Sequence, residues 1–274
     1  MPITISSNSY ASSIANVLNK ITNDLNETSL RISTGKRILS AADDPAGIAI
    51  AAKLNYDNSA YGVVKKNISS GLSLIEVSSK ALETSTGLID KMKKLALEAS
   101  SDTLSTEQRN AIQATFSELQ GQLDDVVNNA TLFGKNLVGG SAASVAIQSG
   151  INSGNTTTIN IAQSDTATLG IDTGTIDLTS SANAATAITA LDSALTTVGT
   201  NQSILGAQQS GFNARISNID KLRENLEAAA ARIEGADIAQ ETKKLSLYQT
   251  QQQLAIQTLG IANSFPQAAL QLLR

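Results

Sequence analysis

Hydrophobic residues near the amino terminus fall at Ile14, Leu18, Ile21, Leu25 and Ile32, with Thr28 in the vacant place, the four-and-three spacing of a coiled-coil seam. Gly35 interrupts that stripe. Asp44 then stands directly before Pro45, an N-cap followed by a residue whose missing amide hydrogen costs nothing at the first helical position. A new helix is expected to start there. From Pro45 to Ala99 two stripes adjoin, Ile68, Leu72, Ile75, Leu82 and Ile89 in one, Ala81, Leu88, Met92 and Leu95 in the other, so this helix needs two sets of neighbours. After a polar break, Ser105 with Gln108 forms a capping-box signature, and the helix that follows carries Ile112, Phe116, Leu119, Leu123, Val127 and Ala130.

The period changes after Thr131–Lys135 and the Gly139–Gly140 pair. The segments Ser144–Gln148, Thr156–Ile161, Thr168–Ile171 and Thr175–Leu178 are short, rich in β-branched residues and separated by Gly, Asn and Ser, and are expected to be strands of a small hairpin region. No Lys or Arg occurs between Lys135 and Arg215, which suggests an exposed, low-charge cap. The longest periodic run then passes through Ile188, Leu191, Leu195, Val198, Gln202, Leu205, Gln209, Phe212, Ile216, Ile219, Arg223, Leu226, Ala230 and Ile233. Gln202, Gln209 and Arg223 interrupt its apolar seam, and polar residues at such positions fix register at a cost in stability. Gly235 closes the run, Asp237 with Gln240 caps a further helix, and Leu247, Leu254 and Ile261 recur at intervals of seven within it. The expected fold is mainly α: a long antiparallel helical bundle or coiled coil built from both chain ends, with a small β-hairpin region in the middle of the sequence.

Composition sharpens this picture. Aromatic residues make up 3% of the 274 and there is no Trp, so burial has to come from Leu, Ile, Val and Ala along long thin contacts, in rods rather than a globule. Residues 1–19 carry no charge, and after Lys244 none appears until Arg274. A membrane helix would not contain Gln249, Gln251, Gln252, Gln253 and Gln257, whereas a helix covered by protein on most sides would tolerate them. Burying five aliphatic side chains does not offset the entropy of ordering residues 14–32. Both ends, residues 1–40 and 240–274, are therefore expected to be unstructured in the lone chain and to fold when copies pack, while the middle helices fold by themselves. No run is apolar enough to span a membrane, and the first residues lack the basic and apolar regions of a secretory signal peptide, so any export would take another route.

Candidate chemistry is sparse. The chain has neither histidine nor cysteine, which removes the commonest general base and the commonest transition-metal ligands. The net charge of −4 with few aromatics leaves no footprint for nucleic acid. Asp43–Asp44 and Asp124–Asp125 are adjacent carboxylates, but neighbours along a helix do not face one another, and capping or solvation explains them. Ser33 and Lys36 have Ser-x-x-Lys spacing without the other motifs of that acyl-transfer set, and Gly35–Lys36 lacks the upstream glycine and following Ser or Thr of a phosphate loop. No catalytic, cofactor or metal site is assigned. The candidate assembly residues are Ile14, Leu18, Ile21, Leu25, Ile32, Leu247, Leu254, Ile261, Leu272, Leu273 and Arg274, and the start of the core helix is marked by Asp43, Asp44, Pro45 and Gly47.

Two blocks carry a family resemblance. Ser29–Ala51 is similar to the amino-terminal signature of bacterial flagellin, and Ala231–Thr242 with the run to Leu272, Leu273 and Arg274 resembles the carboxyl-terminal one. Phe133–Gly134–Lys135 resembles the family's passage from helix to hairpin. The resemblance implies a non-enzymatic homopolymer: residues 1–40 and 236–274 as inner-tube helices, with a spoke, residues 41–138 and 182–235 as the surrounding core helices, and residues 139–181 exposed. It also implies an extracellular filament for swimming motility, exported through the flagellar type III apparatus. Its implied partners are an export chaperone on residues 235–274 and the flagellar cap and hook-junction proteins, without membrane insertion. The large outer domains of longer members are missing. Lys91 and Leu95 occupy places similar to an immune-receptor patch. A hook–filament junction protein and a surface adhesin acting through residues 139–181 are the alternatives.

Overall fold

Local side-chain caps set the helix boundaries. The structure, a computed structural model, describes residues 8–139 and 144–272, the side chains of residues 265–272 excepted. Helix α1 (Ser9–Thr34) begins where the Asn8 side chain accepts the Ala11 amide at 3.0 Å and ends at Gly35, whose φ of 68° favours a residue without Cβ. Helix α2 (Pro45–Ala99) starts at the expected proline. Helix α3 (Thr106–Asn129) opens with the expected capping box: Ser105 Oγ accepts the Gln108 amide at 3.2 Å, and Gln108 Oε1 accepts the Ser105 amide at 2.9 Å. Helix α4 spans Ser181–Glu234. Helix α5 (Ile238–Leu272) follows Asp237, whose Oδ1 accepts the amides of Ala239 and Gln240 at 3.0 and 3.1 Å. The chain forms two compact units, Met1–Tyr56 with Asn225–Arg274, and Asp57–Glu224, so α2 and α4 each contribute to both.

In the unit formed by residues 57–224, the core runs along three helices. From α2 it takes Ile68, Ile75, Leu82, Ile89 and Met92, from α3 Phe116, Leu123 and Val127, and from α4 Leu191, Val198, Leu205 and Phe212, all buried. Both stripes expected on α2 are present, with Leu72 and Leu95 half-buried at their edges. On α4 the seam is turned slightly from the expected one. Ala187, Ala194 and Asn201 are buried, while Ile188, Leu195 and Gln202 are half-buried beside them. Small residues there let neighbouring elements approach closely, an arrangement that substitutes for aromatic bulk.

The middle segment departs from expectation in one respect. Strands β1 (Thr131–Leu132) and β2 (Lys135–Asn136) form a tight hairpin whose two central residues, Phe133 and Gly134, both have positive φ, 53° and 72°. Strands β3 (Val145–Gln148) and β4 (Thr156–Ile159) pair antiparallel, with Val145 opposite Ile159. Thr168–Ile171 and Thr175–Leu178, expected as strands, are turns and loop. The reason lies in α3, which supplies the hydrogen-bond partners that a strand would have supplied. Gln120 Nε2 donates to the Ile171 carbonyl and Gln113 Oε1 accepts the Leu178 amide, each at 2.7 Å, while Asp124 accepts from the Thr166 amide and hydroxyl at 3.0 and 2.9 Å. With its backbone satisfied by side chains, the loop inserts Ile171, Ile176 and Leu178 into the helical core. Asp124 thus has a structural role. The segment expected as an exposed cap is in this part a lid over the core.

Replacing fully buried Phe116 by Ala is expected to cost about 3–5 kcal/mol in urea unfolding of the monomer. Leu247→Ala, at a position 52% exposed, is expected to change the same midpoint by less than about 0.5 kcal/mol.

Candidate functional site: the terminal helix pair and its joint

Helices α1 and α5 pack antiparallel, and each presents a strict three-and-four seam. On α1 it consists of Ala11, Ile14, Leu18, Ile21, Leu25, Thr28 and Ile32, the expected stripe with one residue added, all buried or half-buried. On α5 it consists of Glu241, Leu245, Tyr248, Gln252, Ala255, Leu259 and Ala262. Asn8 Nδ2 donates to the Ala262 carbonyl at 2.8 Å, and Gln252 Nε2 to Thr22 Oγ1 at 3.4 Å, which fixes the register. Leu247, Leu254 and Ile261, whose spacing suggested a coiled-coil seam, are absent from the seam with α1. They are 52%, 56% and 67% exposed. The smaller Ala255 and Ala262 face α1 instead, and the larger aliphatic residues lie on a second face of the same helix. Val17 and Leu30 of α1 are likewise about half exposed. A local open groove on the pair is lined by Val17, Ile21, Leu254 and Ala255 together with Lys20, Asp24 and Gln251. Leu273, Arg274 and the side chain of Leu272 lie outside the described residues.

Where α1 ends, the two chain segments clamp each other. Lys36 and Gly235 form an isolated antiparallel bridge, the Arg37 amide donating to the Glu234 carbonyl at 2.6 Å and the Ala236 amide to the Gly35 carbonyl at 2.9 Å. Side chains reinforce it: Lys36 Nζ lies 2.7 Å from the Glu234 carboxylate, and Arg37 donates to the Ile233 carbonyl at 3.0 Å. Asp43 then gathers the loop, its Oδ2 accepting the amides of Ser40 at 2.8 Å and Leu39 at 3.0 Å, with Arg31 3.7 Å from its other oxygen. Asp44 Oδ1 accepts the Gly47 amide at 2.8 Å, with Arg37 at 3.4 Å. A Cβ at Gly47 would crowd the Asp44 carboxylate and stand 2.9 Å from Ile38 Cδ1, so a larger residue there obliges those side chains to shift.

Asp43, Asp44, Pro45 and Gly47 therefore lie together at the start of α2. Arg37, Glu234 and Asn55, whose amide nitrogen lies 3.4 Å from Glu234 Oε1, join them without any local sequence signal, because their partners are remote in the chain. The amides of Ser40 and Leu39 hold the Asp43 carboxyl below the usual carboxylate range, and the Gly47 amide, aided by Arg37, does the same for Asp44. Lys91 and Leu95 lie one turn apart on α2, the first exposed and the second half-buried.

Comparison with known proteins matches these two helical ends separately. Residues 5–143 fit the family model of the bacterial flagellin N-terminal helical region, and residues 188–273 that of the C-terminal helical region. The chain belongs to the bacterial flagellin family. It is similar to flagellin FljO of Caulobacter vibrioides, 34% identical over 98% of both chains, and to a flagellin of Halalkalibacterium halodurans, 31% identical over 89% of this chain and 90% of the other. The fold is shared with a putative flagellar hook-associated protein from Vibrio parahaemolyticus, at a TM-score of 0.59 and 12% identity over 70% of this chain and all of that one. This flagellin is accordingly a structural subunit of the flagellar filament, a member of a family of structural proteins, and the junction-protein and adhesin alternatives are not favoured.

Two outcomes are expected of the joint. Because the folded-state pKa values of Asp43 and Asp44 are lowered, their stabilisation is present above the ordinary carboxylate value of 3.8 and is lost as pH falls through the lowered values. Relative to the intrinsic exchange rate at each pH, protection of the Ser40 and Gly47 amides should fall over that acid range, and Asp43→Asn with Asp44→Asn should flatten the dependence. Gly47→Ala should cost about 1–3 kcal/mol by crowding Asp44 and Ile38, read in thermal unfolding.

Proposed function

We propose that the α1–α5 pair is the polymer-forming element of this subunit, with residues 1–40 and 236–274 forming an inner tube. The core helices, residues 41–138 and 182–235, surround it, and residues 139–181 lie on the outer surface. The supporting observation is the second face of α5: Leu247, Leu254 and Ile261, each more than half exposed, on a helix without a charge after Lys244. A helix that already buries one stripe against α1 and still presents another to solvent is suited to several neighbours at once. In a single chain those aliphatic residues lack the burial that would stabilise the pair, so the ends fold fully when copies pack. The resemblance to flagellins supports export through the flagellar apparatus without a cleaved signal peptide. The same two-faced helix, residues 235–274, suits an export chaperone that covers it before assembly, and the finished polymer meets cap and hook-junction proteins.

Polymerisation seeded with short filament fragments and followed by electron microscopy tests this reading. Leu247→Ser with Leu254→Ser and Ile261→Ser is expected to stop elongation while leaving the urea midpoint of the middle unit unchanged. A chain truncated after residue 239 should behave likewise. Normal filaments from either variant would refute the assignment of these residues.

A further inference from the structure

The two long helices of the middle unit pose a register problem. On α2 the fully buried residues Ile68, Ile75, Leu82 and Ile89 recur at intervals of seven, and on α4 so do Leu191, Val198, Leu205, Phe212 and Ile219. Two antiparallel helices with such repeats can slide past one another by seven residues, about 10 Å, and still set aliphatic against aliphatic. Burial of apolar area alone hardly separates the native alignment from its neighbours.

Within residues 57–224 the polar contacts that join these helices share one spacing. Arg223 Nε donates to Asn58 Oδ1 at 2.9 Å, Lys65 Nζ contacts Asp220 at 2.7 Å, Gln202 Nε2 lies 3.3 Å from Thr86 Oγ1, Lys93 pairs with Asp192, and Ser181 Oγ donates to the Ser100 carbonyl at 3.0 Å. On the α2 side the positions are 58, 65, 86, 93 and 100, all separated by multiples of seven. One edge of α2, together with the residue just beyond its end, thus carries a ladder whose rungs differ chemically from one another. The interval left open in the ladder contains a steric key: a Cβ at Gly71 would stand 2.8 Å from Phe212 Cε1.

We propose that this ladder, with the Gly71–Phe212 fit, selects the α2–α4 register. Slip by seven residues in one direction sets Arg223 against Lys65 and the Asp220 carboxylate beside Leu72. Slip in the other direction leaves Lys65 opposite Asn213 and Lys93 opposite Ala185. Either way Lys93 loses its carboxylate partner, Lys65 exchanges Asp220 for Glu227 beside Arg223 in the first case and for Asn213 in the second, and Phe212 meets Ser78 or Val64 in place of the glycine. The Lys65–Asp220 and Lys93–Asp192 pairs are partly exposed and add little to stability. Their effect lies in the difference between alignments, where unpaired and like charges penalise the wrong ones. The device belongs to one chain and does not depend on the filament reading.

The absence of cysteine permits a direct measurement on the full-length monomer. Nitroxide labels at Glu76→Cys and Asn213→Cys, both exposed positions, report the α2–α4 offset by pulsed electron spin resonance. The parent chain should give one distance. On a Phe212→Leu background, Lys65→Gln, Lys93→Gln and Gln202→Leu should add a second population, displaced in line with an axial shift of about 10 Å. Exchanging one pair on that background, with Lys93→Asp and Asp192→Lys while Lys65, Asp220 and Gln202 are kept, should retain the single distance. A single parental distance in the neutral variant, two distances in the exchanged one, or loss of helical circular dichroism in the neutral variant would each overturn the proposal. The last does so because the ladder is assigned to the choice of register and not to holding the fold.

Discussion

The backbone clamp between residues 35–37 and 234–236 is the constraint from which the terminal unit follows. Hydrogen bonds from Arg37 to Glu234 and from Ala236 to Gly35 bring two points of the chain nearly 200 residues apart to one level. Gly35 ends α1 there, and α5 begins just beyond Gly235. With its origin fixed at the clamp, the α1–α5 seam can align over its whole length with few polar contacts, the Gln252–Thr22 and Asn8–Ala262 bonds among them. The charged side chains around the clamp, Lys36, Arg37, Asp44 and Glu234, hold it from outside without entering the seam.

An aromatic-poor chain meets its need for burial by length. Phe116 and Phe212 are its only buried phenylalanines among the described residues, and Gly71 makes room for Phe212. Elsewhere the core is a succession of single Ile, Leu, Val and Met side chains along three helices, each adding a modest amount. Such a core is regular, and regularity is what obliges polar residues to carry positional information. Gln113, Gln120 and Asp124 do so for the loop that follows β4, as the ladder on α2 does for α4.

Helix starts were legible from sequence because caps act within three or four residues: Asp44 with Gly47, Ser105 with Gln108, Asp237 with Gln240. The joint was legible for the same reason as far as Asp43, Asp44, Pro45 and Gly47 were concerned. Its other half, Lys36 with Glu234, was not, since charge alone does not name a partner so distant in the chain. Thr168–Ile171 and Thr175–Leu178 had the composition of strands, and only side chains of α3, more than forty residues earlier, explain why they stay irregular. On α5 the interval of seven was real, but periodicity does not say which of two apolar faces meets α1. Leu245, Tyr248, Ala255, Leu259 and Ala262 lie inside, and Leu247, Leu254 and Ile261 outside.

That two-faced helix has a consequence for how such a chain can diverge. One residue inserted between Asp237 and Leu245 would rotate everything beyond it by about 100°, carrying the outer aliphatic residues toward the seam and the alanines away from it. Both faces would be spoiled at once. Substitutions that preserve size can accumulate along α5, but its length is fixed to the residue, and the same holds for α1 opposite it. A change of length costs less in a stretch such as the turn between β3 and β4, where Gly154 has a positive φ and no second face has to be kept in phase.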